Sequence, residues 1–151
     1  YCEPEILEKF YPYTDLFLAD IKNMDSQAHK KWSGAGNELI LENLIRTAEA
    51  GIPLVIRIPI LPEINNSEEN SRATAEFIVD KLHNRVKQVQ LLPYRKMGTE
   101  KYASMGIPYP MGEDYKMPPR EVWEANIRHL VGIMQEYGVP AVPGSSERIE
   151  L

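Results

Sequence analysis

Asp15-Leu16-Phe17-Leu18-Ala19-Asp20-Ile21-Lys22 decides how the chain is read. Its first part is a nearly continuous apolar run, the pattern of a strand covered on both faces, as in a parallel sheet. It closes on two charges, Asp20 and Lys22. Side chains alternate along a strand, so these two share the face of Leu16 and Leu18. An acid and a base at the carboxyl end of a buried strand stand where α/β folds place their ligands. The plainer reading is that the charges mark where the strand emerges into water. The neighbouring segments bear on the choice.

Downstream, Met24-Asp25-Ser26 can cap a short helix carrying His29 and Trp32, and Ser33-Gly34-Ala35-Gly36 ends it. Asn37 then caps a second helix with Ile40, Leu41, Leu44, Ile45 and Ala48 at helical spacing, and Gly51 is placed to stop it. The second strand is Pro53-Leu54-Val55-Ile56-Arg57-Ile58-Pro59. Arg57 shares a face with Val55 and Pro59 and needs a partner, because an unpaired buried charge is too costly. Two readings stand: an ion pair with a neighbouring carboxylate, for which Asp20 qualifies, or a clamp on a ligand carboxylate. The loop from Ile60 to Asn66 is long for a strand-to-helix link. Asn66-Ser67-Glu68-Glu69 starts the next helix, with acids in the first turn matching its dipole. Ala73, Phe77, Ile78 and Leu82 form its apolar stripe, and His83 reads as a solvated residue at its end.

The third strand is Val86-Lys87-Gln88-Val89-Gln90-Leu91-Leu92-Pro93-Tyr94, followed by Arg95. Three strand ends thus carry Asp20 and Lys22, then Arg57, then Tyr94 and Arg95. In a parallel sheet they converge on one rim. Lys96 to Pro119 shows no clear periodic element. Its glycines and Tyr102, Tyr109 and Tyr115 suggest an ordered loop that covers a site or docks a partner. Pro118-Pro119 leads into a final helix with Trp123, Ile127, Leu130 and Met134 on one side and His129 at the boundary. Val139 to Val142 can form a short edge strand, and the segment from Pro143 onward reads as frayed. Upstream, Pro4 suits the first turn of a helix with Ile6, Leu7 and Phe10 on one side, and Tyr11 to Thr14 connects it to the opening strand. The whole reads as an α/β fold: a partial (β/α) barrel of about three parallel strand-helix units, plus a long loop and a C-terminal helix, in one domain.

Composition sets the outer bounds. The 151 residues are about one domain's worth, and the 43% hydrophobic and 26% charged content is ordinary for a globular protein. A net charge of -5 argues against a nucleic-acid partner, since phosphate binding needs a basic patch. No apolar run approaches a membrane span, so no membrane partner is expected either. One cysteine, Cys2, excludes an internal disulfide and an internal multi-cysteine metal site. A cytoplasmic location is expected, with no secretory signal pattern.

Four stretches, in order, resemble the glycyl radical enzyme activating enzymes, the pyruvate formate-lyase activating group within the radical S-adenosylmethionine (SAM) superfamily. They are Asp15 to Lys22 with Met24-Asp25 and His29; Gly36-Asn37-Glu38-Leu39-Ile40-Leu41-Glu42-Asn43; Ile56-Arg57-Ile58-Pro59-Ile60-Leu61-Pro62 with Asn65; and Leu91-Leu92-Pro93-Tyr94 with Gly98, Lys101-Tyr102 and Gly106. The resemblance implies a 4Fe-4S cluster that reduces SAM, and a 5'-deoxyadenosyl radical that takes a hydrogen from a glycine Cα of a partner enzyme such as pyruvate formate-lyase. It also implies an electron donor such as flavodoxin or ferredoxin. The family's Asp-x-Lys motif lines the SAM pocket, which implies that role for Asp20 and Lys22, with Ile21 contributing backbone. In some members the Asp also helps to bind a monovalent cation. Arg57 is implied near the methionyl carboxylate or the substrate peptide. Arg95 stands where the family has a SAM-contacting histidine; it can donate hydrogen bonds but cannot accept them.

The resemblance also exposes what is missing. An iron–sulfur cluster needs several thiolates, and Cys2 falls where some members carry Thr-Cys-Gly after the third strand, outside the cluster motif. The chain therefore reads as the C-terminal half of such an enzyme, without the cluster-binding half and inactive alone, with no catalytic or metal-ligating residue of its own. A partial barrel with open strand edges is expected to self-associate. Two alternatives remain at this point. One is another (β/α)-barrel enzyme acting on a phosphorylated small molecule, with Ser33-Gly34-Ala35-Gly36-Asn37 as its phosphate cradle. The other is a partner-docking module without its own catalysis.

Overall fold

In the computed structural model, which describes residues 1–112, 114–144, 146 and 149, four strands form one parallel sheet. They are β1 (Phe17–Asp20), β2 (Leu54–Ile60), β3 (Gln88–Pro93) and β4 (Ala141–Pro143), lying side by side in chain order. A doubly wound sheet reverses its order and buries both faces under helices; sequential order is the winding of a barrel. The expected α/β partial barrel is seen, with the segment after Val139 supplying the fourth strand.

Three helices cover one face of the sheet: α3 (Glu38–Glu49), α4 (Glu68–Asp80) and α6 (Arg120–Glu136). Leu44 and Ala48 of α3, Ala75 and Ile78 of α4, and Leu130 and Met134 of α6 form one apolar cluster with Ile56, Ile58, Val89 and Leu91 of the strands. The strand residues on this face alternate with those on the other, as the period of two requires. No helix among the described residues is long and apolar enough to cross a membrane.

Local chemistry accounts for the helix ends. Asp25 accepts a hydrogen bond from the Ala28 N–H at 2.6 Å and starts α2 (Ser26–Ser33), which Gly34 ends at a φ of 87° that favours glycine. Ser67 accepts from the Asn70 N–H at 3.1 Å at the start of α4. Asn37 occupies the cap position of α3 but does not cap it with its side chain. Its Nδ2 donates instead to the carbonyls of Asn23 and Met24, each at 2.9 Å. Those carbonyls lie in a buried turn after β1 and need donors more than the helix start does.

Three further expectations change. The apolar run of β1 is covered on one face only: Phe17 and Ala19 pack on the core, whereas Leu18 is 47% exposed. An apolar run does not distinguish a central strand from an edge strand, and β1 is an edge. The helix at Pro4 is a single turn, α1 (Pro4–Leu7), passing into a tighter turn over Glu8–Tyr13. Leu7 is buried while Ile6 and Phe10 are exposed. Within the segment that lacks periodicity, α5 (Thr99–Ser104) forms; six residues are too few to show a repeat. The expectation of fraying after Pro143 lies largely outside the described residues.

Candidate functional site at the carboxyl ends of the strands

The strand register sets Asp20, Arg57 and Gln90 in one row across β1, β2 and β3. Their parity differs from that of Ile56 and Leu91, so they lie on the face opposite α3, α4 and α6. Arg57 donates through Nε and Nη2 to Asp20 Oδ1, at 3.0 and 2.9 Å. Lys22 Nζ donates to the other oxygen, Oδ2, at 3.0 Å. The result is a chain of three charges, Lys22–Asp20–Arg57, partly open to solvent. Of the two readings of Arg57, the ion pair is the one formed, and among the described residues no acceptor meets Nη1. In the same row Gln90 is buried and donates from Nε2 to Gln88 Oε1 at 2.7 Å. Ile21 is 2% exposed, its side chain is in the core, and its N–H donates to the Arg57 carbonyl at 3.0 Å.

The backbone around these charges is held by Asn65, which is 3% exposed. Its Oδ1 accepts from the Leu61 N–H at 2.7 Å. Its Nδ2 donates to the carbonyls of Lys22 and Pro59 at 2.6 and 2.8 Å. One amide therefore joins the ends of β1 and β2 and fixes the loop between them. Asn70 adds a second tie, accepting from the Met24 N–H at 2.9 Å.

A cavity of about 270 Å³ opens at the same end of the sheet. Lys22, Pro59 and Tyr94 line it from the strand ends, His29 and Trp32 from α2, and Tyr102 and Tyr109 from the segment after β3. The last two rings meet edge to face, with centroids 5.3 Å apart. Thus Tyr102 and Tyr109 of this segment pack on each other and form part of the cavity's rim. Arg95 lies past the end of β3, exposed and outside this cavity. Tyr94 has the parity of Gln90 and stands at the cavity instead. Sequence reasoning placed Tyr94 on the rim beside Arg95 but gave the ligand contact to Arg95, and it named His29 only within a family-like stretch. The only signals were the position of Tyr94 at a strand end and of His29 one turn into α2.

One glycine of the proposed phosphate cradle, Gly36, already faces an anion. A side-chain carbon at Gly36 would collide with the Glu38 carboxylate and the Ser26 hydroxyl, which are hydrogen-bonded to each other. The Ser26 hydroxyl, and then the backbone N–H of Glu38, hold this carboxyl below its usual range, so it stays charged. A carboxylate there repels phosphate. For an iron–sulfur cluster the residues present do not fit: there is one cysteine, and no cluster of three metal-ligating side chains occurs among the described residues. For SAM, the cations Lys22 and Arg57 at the strand ends fit a ligand with a carboxylate.

No protein-family model matches the chain. It is 34% identical over 142 residues to the (2S)-3-sulfopropanediol dehydratase activating enzyme of Klebsiella oxytoca, and 39% identical over 141 residues to the choline trimethylamine-lyase activating enzyme of Oleidesulfovibrio alaskensis. These alignments cover 94% and 93% of this chain and 44% of each relative. A crystal structure of a domain of the pyruvate-formate lyase-activating enzyme from Bacteroides vulgatus superposes with a TM-score of 0.69 at 30% identity, covering 93% of this chain and 74% of that one. The chain belongs to the glycyl radical enzyme activating enzymes. It spans less than half the length of the curated relatives it matches.

Proposed function

We propose that this chain is the C-terminal half of a radical SAM activating enzyme that generates a glycyl radical on a partner enzyme, and that its strand ends line part of the SAM pocket. The observation that carries the reading is the charge chain Lys22–Asp20–Arg57 on the face that α3, α4 and α6 leave uncovered, at the carboxyl ends of β1 and β2. Lys22 is the cation for the methionyl carboxylate. Asp20 holds Lys22 and Arg57 apart and oriented, and Arg57 offers its remaining amino group. The backbone of Ile21 adds a wall, and Arg95, exposed past the end of β3 and outside the cavity, is given no contact. When bound, SAM supplies the radical chemistry; these residues bind and orient it. The 4Fe-4S cluster belongs to a part of the protein outside these residues. The partner is a glycyl radical enzyme of the pyruvate formate-lyase type, and a small electron-transfer protein such as flavodoxin or ferredoxin supplies the electron.

Titration calorimetry of the full-length protein with SAM tests this. Lys22→Met and Arg57→Met are each expected to weaken SAM binding about tenfold, the loss of one charge-assisted hydrogen bond. Wild-type affinity in both variants, with unchanged melting temperatures, overturns the assignment of these residues.

A further inference from the structure

The ladder between β1 and β2 stops, for a chemical reason, just before Lys22. The Phe17 N–H donates to the Pro53 carbonyl at 2.8 Å, and the Ile21 N–H to the Arg57 carbonyl at 3.0 Å. In this parallel register the next bond, to the Ile21 carbonyl, falls to the nitrogen of residue 59. Residue 59 is a proline, whose nitrogen has no hydrogen to give. Beyond that point Lys22, Asn23 and Met24 make no backbone-to-backbone hydrogen bond among the described residues.

Side-chain amides take over where the ladder ends. Asn65 Nδ2 donates to the Lys22 carbonyl at 2.6 Å. Asn37 Nδ2 donates to the carbonyls of Asn23 and Met24, and Asn70 Oδ1 accepts from the Met24 N–H, each at 2.9 Å. The three asparagines come from separate places: the start of α3, the loop after β2 and the first turn of α4. Two of them are also joined, Asn70 Nδ2 donating to the Asn65 carbonyl at 3.2 Å. Connections between elements ordinarily run over the surface and stay mobile. This one is held at four backbone groups, and it carries Lys22 at its head. We infer that Asn37, Asn65 and Asn70 are positioning residues for ligand binding at Lys22. They fix the backbone of residues 22–24, so that the ammonium, paired with Asp20, meets a ligand carboxylate without the turn having to be ordered first. The inference rests on the assignment of Lys22 to the SAM carboxylate above.

The test is a double-mutant cycle on the full-length protein, read by titration calorimetry with SAM. Asn65→Ala is expected to weaken SAM binding about fivefold, less than the roughly tenfold of Lys22→Met, because the ammonium is loosened and not removed. In the Lys22→Met background the same change is expected to cost nothing further, since the group it positions is gone. A general loosening of the fold would instead lower affinity in both backgrounds. Asn70→Ala removes the tie to Met24 at a residue that is only partly buried. It runs through the same cycle, with the same expectation, and decides the matter where Asn65→Ala does not fold. Equal losses with and without Lys22 overturn the inference. So does wild-type affinity in both asparagine variants while Lys22→Met weakens binding; the SAM reading then stands alone. If Lys22→Met itself binds SAM as the wild type does, the assignment of Lys22 falls and the positioning role falls with it.

Discussion

Ile56 and Arg57 are adjacent in β2 and face opposite sides of the sheet. Ile56 is fully buried in the cluster formed with α3, α4 and α6. Arg57 lies on the other side and reaches across to Asp20 of β1. The same alternation sets Leu91 against Gln90 in β3. One side is dry and held by shape. The other mixes apolar Leu18, Val55 and Leu92 with polar groups that pair with one another: Asp20 with Arg57 and Lys22, Gln88 with Gln90. Stability therefore comes mainly from the helix side, while the opposite side can be spent on ligand binding. The two sides should respond differently to mutation, and in a fixed order.

The largest effect belongs to the dry side. Leu91→Ala removes a side chain with no solvent exposure and is expected to cost about 3 kcal/mol, through lost transfer energy and the cavity left behind. Leu92→Ala, one residue along and on the other side, is expected to cost below about 1 kcal/mol, since Leu92 is only partly buried. Equilibrium urea unfolding of the two variants makes the comparison directly. Equal losses would mean that both faces carry the core, and the division drawn above would fail.

An intermediate effect is expected where the two regions meet. Asn65→Ala leaves the Leu61 N–H and the carbonyls of Lys22 and Pro59 without their partner. The cost is about 2 kcal/mol, because such groups are expensive to bury unpaired. Hydrogen exchange should show the loss concentrated in the loop after β2, at the Leu61 amide, with the amides of β2 itself still protected. Uniform loss of protection would instead place Asn65 in the global core.

Much of this architecture was legible in the sequence, for physical reasons. Strand and helix periods, the caps at Asp25 and Ser67, and the stop at Gly51 are local, and local chemistry is written in consecutive residues. The pairing of Arg57 with Asp20 was foreseeable as one of two options, because a charge inside an apolar run demands a partner. What stayed hidden depends on distant segments meeting. Asn65 reaches the Lys22 carbonyl only because β1 and β2 end side by side. Tyr94 and His29 share a cavity only because α2 and the end of β3 converge on it. The open side of β1 was hidden for another reason: Leu16 to Ala19 is apolar whether or not anything covers Leu18. The four family-like stretches identified the family correctly.

The smallest effect is expected at the charge chain. Both partners of the Asp20–Arg57 pair keep contact with solvent, with side-chain exposures of 27% and 39%. Water therefore screens the pair, and a double-mutant cycle with Asp20→Asn, Arg57→Met and the combined variant should return a coupling of about 1 kcal/mol. Added salt should shrink it further, as it does for exposed pairs. A coupling above about 3 kcal/mol that ignores salt would mark a desolvated structural pair and move Arg57 to the stabilising side of the comparison. The expected result has the opposite meaning. If Arg57→Met costs the fold little and yet weakens SAM binding about tenfold, the charge is held at the strand end for a ligand, and Asp20 serves to aim it.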